Sequence, residues 1–258
     1  NVSFTATAAE GWEISGWTVS SGNFSSGGGT GTTAMISNVT DNITVKVTFK
    51  PGVFDLAGGD DAWKKLREEA AKKKGAHTIT ISGEIKATNA PGNNGKISIG
   101  RDLIIKSSGS SASLNADGKS GIFNVDKNLT LENITLKNGT EPGDRTGAGA
   151  YVNSGVTLTM KGSSAITGCS AHKGGGVYVN GGTLIMQDSS TISGCTAADK
   201  GGGVYVSGTF NMSGNASVDQ NNDVYLESGK SINITGTLVN RPAAKITPNE
   251  YSDGRILA

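Results

Sequence analysis

Two cysteines in a chain of 258 residues are too few for a cysteine-rich zinc site. No apolar run approaches the ~18 residues that cross a bilayer, so no membrane span is expected. Net charge is only +1, which gives no general attraction to nucleic acid or to an acidic membrane surface. P-loop, HExxH and GxSxG patterns are absent, so three common chemistries lack their motif. There is no initiating Met and no signal peptide. The chain opens at Asn1 inside a strand pattern and stops abruptly at Ala258. A piece of a longer precursor is therefore expected, with any export signal or anchor outside it.

What is present is glycine, 39 residues of it, with abundant Asn, Thr and Ser. That mixture suits turns and short strands better than helices. Above all, the chain repeats itself. GAGAYV starts at Gly147, and GGGVYV starts at Gly174 and again at Gly201, so Tyr151, Tyr178 and Tyr205 are spaced 27 and 27 apart. Met160, Met186 and Met212 are spaced 26 and 26, as are Ile166, Ile192 and Val218. A fixed period in this range means one structural unit stacked on copies of itself.

Residues 1–50 read as a small all-β module, with Val2, Phe4 and Ala6 on one face of the first strand and Ile43, Val45, Val47 and Phe49 alternating in the last. SSGNFSSGGGTGTTA between them reads as a flexible loop. Residues 51–59, PGVFDLAGG, read as a linker. A helix over 60–75 follows, capped by Asp60 or Asp61 and ended by Gly75, with Trp63, Leu66 and Ala70 on one face. Lys72, Lys73 and Lys74 complement the dipole at its C-terminal end.

From His77 to about Asn240 the chain reads as strands only. Each 26–27-residue copy holds three short strands broken by Gly, Ser or Asn. Three strands per turn of a coil give three parallel sheets rising ~4.8 Å per rung, with about six rungs over residues 76–240. Leu158 with Met160, Leu184 with Met186, and Phe210 with Met212 face the core. The helix is placed to cover the first rung, with Trp63 and Leu66 as the plug, and the tail 241–258 to cover the last. The predicted fold class is mainly β: a three-sheet solenoid over 60–240, with a capping helix and a small N-terminal β module.

These residues carry two resemblances. FTATAAEGWEISGWTV…ISNVTDNITVKVTF resembles the divergent B-repeat modules of bacterial surface proteins related to the internalins. The Gly-Gly-rich copies over roughly 76–240 resemble the right-handed parallel β-helix of the pectin-lyase-like superfamily. They also resemble the Gly-Gly-rich repeats of polymorphic outer-membrane and autotransporter-type bacterial surface proteins. The first resemblance implies a spacer and the second a fold that serves lyases, hydrolases and inert stalks alike.

Three constellations merit a chemical reading. Cys169 and Cys195 stand one rung apart in a column that Asn221 continues, where neighbouring Cα atoms lie close enough for a disulfide. A stacked pair of buried free thiols is the other reading. Tyr151, Tyr178, Tyr205 and Tyr225 share the motif AYV, VYV, VYV and VYL. With Val177, Val179, Val204 and Val206 pointing inward, the rings form an outward ladder, either a platform for a partner or simple cross-rung stacking. Arg145, His172 and Asp199 each stand six residues before a ladder tyrosine, in turns that precede the glycines. As a row they offer an acid, a base and an electrophile; as solvated turn residues they offer nothing.

No catalytic set, metal site or cofactor is expected. The function expected is that of a non-enzymatic bacterial cell-surface or secreted protein, a monomeric stalk or adhesin. Its partner is a host or matrix protein or a carbohydrate. The alternative is a polysaccharide lyase or glycoside hydrolase working in a groove of the coil.

Overall fold

The structure is a computed structural model and describes residues 1–109 and 111–250. Part of the tail expected to cover the coil, residues 251–258, lies outside the described residues. The chain divides into a small unit, residues 1–54 with 74–78, and a large unit, residues 55–73 with 79–258.

In the small unit, Val2–Thr5 pairs antiparallel with Thr33–Ile36, and Trp12–Val19 pairs antiparallel with Val45–Pro51. The segment read as a loop contributes Ser26–Gly27 to the first of these sheets. The core is small: Ile14, Ala34 and Ile36 are buried, while Val2 and Phe49 are exposed. Ile43 lies outside the last strand, which begins at Val45.

The large unit is a parallel β-solenoid of about eight turns, not six. Its three sheets have eight, six and seven strands, and from Leu103–Ser107 onward neighbouring strands of the first sheet pair in parallel, as do all neighbours of the other two. The columns seen in the sequence are the hydrogen-bonded registers. Leu158 pairs with Leu184 and then Phe210, and Met160 with Met186 and then Met212. Ile166 pairs with Ile192 and then Val218. All of these side chains are buried. The same columns run back through Leu129 and Leu103, and through Leu131 and Ile105. Those earlier rungs keep the inward residues but lack the triple glycine. The segment 51–59 is no plain linker: Val53–Ala57 is the outermost strand of the eight-stranded sheet, next to Thr78–Ser82.

The repeated glycines have distinct tasks. Gly147, Gly174 and Gly201 open their motifs at φ +67°, +59° and +68°, a left-handed region that favours glycine. The third glycine of each motif packs against the inward column of the second sheet. A Cβ on Gly149 would stand 2.6 Å from Ile166 Cγ2, and one on Gly176 2.8 Å from Ile192 Cγ2. On Gly203 it would stand 2.6 Å from Val218 Cγ1. The glycine column and the Ile/Ile/Val column are thus two sides of one contact.

The helix spans Ala62–Ala71, shorter than the expected 60–75. Trp63, Leu66 and Ala70 are fully buried, and Trp63 Nε1 donates to Gly95 O at 2.9 Å. Its ends are served from elsewhere in the chain. Asp61 makes no side-chain capping bond; instead the Lys64 N–H donates to Asn93 Oδ1 at 3.0 Å. At the other end Arg101 Nη1 donates to Glu69 O at 2.7 Å and Lys72 O at 3.0 Å, and Nη2 meets Glu69 Oε1 at 2.8 Å. Arg101 and Glu69 are both buried. The lysines 72–74 lie past the helix. No helix among the described residues is long and apolar enough to cross a membrane.

Candidate functional site

The four tyrosines lie in one outward column of the seven-stranded sheet. The register runs Ser98, Asn124, Tyr151, Tyr178, Tyr205, Tyr225, Thr247. Val177, Val179, Val204 and Val206 point the other way and are fully buried. Ring centroids are 5.4 Å apart for Tyr151–Tyr178, 4.8 Å for Tyr178–Tyr205 and 4.9 Å for Tyr205–Tyr225, and the interplanar angles grow from 1° to 31°. These are stacking distances, and each pair contributes about 0.5–1.5 kcal/mol beyond its burial.

The expectation that all four rings are accessible fails for two of them. Tyr151 and Tyr178 are half-buried, but Tyr205 is 6% exposed and Tyr225 3%. The cover comes from a short fourth ladder absent from the three-strand reading. Ser170–Lys173 pairs in parallel with Thr196–Lys200, just where turns were expected. Its register partners Lys173 and Lys200 each lie over a ring of the next rung, 5.4 Å from the centroid of Tyr205 and 4.7 Å from that of Tyr225. Polar partners complete the cover: the Tyr205 hydroxyl donates to Glu227 Oε1 at 2.8 Å, and the Tyr225 hydroxyl bonds Asn249 Oδ1. Burial, and then the bond to Glu227, push the Tyr205 hydroxyl far above the ordinary tyrosine range. Burial, and then the Glu227 charge, raise Tyr178 as well.

One position upstream of Lys173 in this ladder stands Thr146, bridged to it in parallel. A threonine cannot reach across a ring as lysine does, which leaves Tyr178 without a covering cation of this series. At the head of the ring column Asn124 stands on the rung before Tyr151, and a groove of about 650 Å³ opens there. Lys96, Lys119, Asn124, Glu141, Arg145 and Tyr151 are among its lining residues.

Cys169 and Cys195 are free, buried thiols on adjacent rungs, the Thr196 N–H donating to Cys169 O at 2.8 Å. Their column is a ladder of acceptors: Cys169 Sγ accepts from the Gly139 N–H at 3.4 Å, and Asn222 Oδ1 from the Cys195 N–H at 3.1 Å. The column continues at Asn222, not Asn221, which is exposed. The hydrogen bond with Cys195, and then burial, push the Cys169 thiol well up.

The row Arg145, His172 and Asp199 does not assemble as a reacting group. His172 N donates to Arg145 O at 2.9 Å, a backbone link. The charged ends pair elsewhere: Arg145 faces Glu141 at 4.0 Å, and Asp199 faces Lys173 at 3.6 Å. Sequence reasoning missed Glu141, whose carboxylate is buried beside the groove. Its one visible signal is the i, i+4 spacing to Arg145. Among the described residues no three His, Cys, Asp or Glu side chains are grouped to hold a metal ion.

No protein-family model matches the chain, and no curated protein or solved structure is matched by it.

Proposed function

We propose that this chain is a non-enzymatic surface or secreted protein of a bacterium, a stalk or adhesin. On this reading it binds a host or matrix protein or a glycan with the face that carries Tyr151 and Tyr178. The observation that carries the proposal is the open half of the tyrosine ladder, two parallel, stacked rings 5.4 Å apart that are only half-buried. The ring edges and hydroxyl groups that such a stack presents suit both sugar hydroxyls and protein side chains. A stack of rungs also fits a scaffold that displays one continuous face. The likeness to autotransporter-type repeats and to the B-repeat spacer points the same way.

The test is a glycan array and a panel of immobilised matrix proteins, run beside a polysaccharide-degradation screen. Binding should fall about tenfold or more for Tyr178→Ala, the scale of an aromatic hot spot, with the fold intact. Tyr225→Ala, a substitution under the lysine cover, should act through stability instead. Turnover of any polysaccharide, or binding that ignores Tyr151→Ala and Tyr178→Ala alike, would overturn the reading.

A further inference from the structure

The groove at the head of the ladder combines features that the rest of the aromatic face lacks. It opens where the ring column ends, because the rung before Tyr151 presents Asn124. That amide is held in place, donating to Asp126 Oδ2 at 2.7 Å and accepting from Asn153 Nδ2 at 3.1 Å. One aromatic ring therefore meets a floor of fixed hydrogen-bonding groups.

Among the lining residues three are cationic, Lys96, Lys119 and Arg145, against the single carboxylate of Glu141. That carboxylate is already engaged. Oε1 accepts the Gly121 N–H at 3.0 Å and pairs with Lys96 Nζ at 3.3 Å. Gly121 permits this approach, since a Cβ there would collide with Glu141 Oε1 and stand 2.5 Å from Lys96 Cε. Lys96 Nζ in turn lies 5.7 Å from the Tyr151 ring centroid. Glu141 is thus a positioning residue that fixes Lys96 beside the ring.

Arg145 is different. Its side chain is 74% exposed, and its contact with Glu141 is at the 4.0 Å limit of an ion pair. A guanidinium presents a planar fork of donors that matches a carboxylate or sulfate in two parallel bonds. Lys119, which meets Asp117 at 3.4 Å, adds a second cation to the same lining. Lys96 over its face and Tyr178 in the stack leave the edge of Tyr151 to the groove, and a ring edge to pack against, amides for hydroxyl groups and an exposed fork for an anion together describe an acidic sugar.

We propose that this groove binds an anionic saccharide, with its carboxylate or sulfate on Arg145 and Lys119 and its ring against Tyr151. The proposal rests on the reading of the tyrosine face as a binding surface and names its ligand class. A chain ligand leaving the groove along the coil would next meet Tyr178.

The experiment is a titration of the whole chain with matched oligosaccharides: a uronate-containing one and its carboxyl-reduced form, and a sulfated one and its desulfated form. The first pair reads a carboxylate and the second a sulfate. The charged member of at least one pair should bind about tenfold or more tightly than its neutral form, and weaken as salt rises. Arg145→Gln should remove most of that preference, and Lys119→Gln a smaller part, with thermal unfolding unchanged for Arg145→Gln because the side chain is exposed. Equal binding of charged and neutral forms, an Arg145→Gln variant with its preference intact, or no binding to any of the four would each overturn the proposal. If neutral sugars or a protein still bind and Tyr178→Ala weakens that binding, the function proposed for the ladder stands without this one. If Arg145→Gln abolishes the preference while Tyr178→Ala changes nothing, the groove stands and the ladder does not.

Discussion

Lys173 Nζ lies 5.4 Å from the centroid of the Tyr205 ring, and its register partner Lys200 repeats the relation with Tyr225 at 4.7 Å. Thr146 occupies the position before them. That change in a short side ladder leaves Tyr178, unlike Tyr205 and Tyr225, without a lysine of the series over its ring.

Exchange of these side chains should therefore move the cover. Lys173→Thr should make Tyr205 reactive to nitration, mapped by mass spectrometry, while Thr146→Lys should protect Tyr178. Each change should alter stability by under about 1 kcal/mol, the scale of an exposed cation–π contact. Unchanged nitration at both sites would show that the lysines are not the cover.

The triple glycine makes a steric claim. Gly176 has no left-handed φ to defend, but a Cβ there would stand 2.5 Å from Gly203 O and 2.8 Å from Ile192 Cγ2. Gly176→Ala should cost about 1–3 kcal/mol in denaturant unfolding, as overpacking does. Gly109, with nothing within 4 Å of its would-be Cβ, is the control, and Gly109→Ala should stay within about 0.5 kcal/mol. Equal effects would remove the packing account of the motif.

Arg101 ties the helix to the coil by two kinds of bond. Arg101→Ala takes the guanidinium from the buried Glu69, which keeps its pair with Lys72 Nζ at 2.7 Å, and should cost about 1.5–3 kcal/mol, read from the denaturant midpoint. The double change Arg101→Met with Glu69→Leu removes both charges and should recover part of that loss. Recovery should be incomplete, because the carbonyls of Glu69 and Lys72 lose their donor. Full recovery would mean that only the ion pair mattered.

The coil was legible where the copies share inward residues. Met160, Met186 and Met212 gave the period and the core face at once, because a parallel register stacks like on like. The count of rungs fell short in part because Val53–Ala57, read as a linker, is a strand of the eight-stranded sheet. Asn222 was missed by one position because turn length varies between rungs even when strand register does not. The burial of Tyr205 and Tyr225 was illegible for a different reason: their cover lies in segments that read as turns. Arg101 gave no local signal at all, since its partner Glu69 is 32 residues away. The groove was equally hidden, because Lys96, Lys119 and Arg145 come from separate rungs and meet only once the coil is wound.

Alkaline pH should test the covered half of the ladder. Burial first, and the hydrogen bond to Glu227 second, raise the Tyr205 hydroxyl above its unfolded value near 10. The folded state therefore holds the proton more tightly than the unfolded state. The stability that follows is fully present below pH ~10 and is lost as the pH climbs from there toward the folded pKa. Denaturant midpoints should accordingly be flat up to about pH 9 and fall above pH ~10. Tyrosinate absorbance should include a late stage, from Tyr205, that appears only as the coil opens. Glu227→Gln takes away the charge that opposes ionisation, so it should shift the late stage to lower pH without abolishing it, since burial is the larger cause. A single ionisation step near pH 10, with the coil still folded, would contradict the buried Tyr205–Glu227 arrangement.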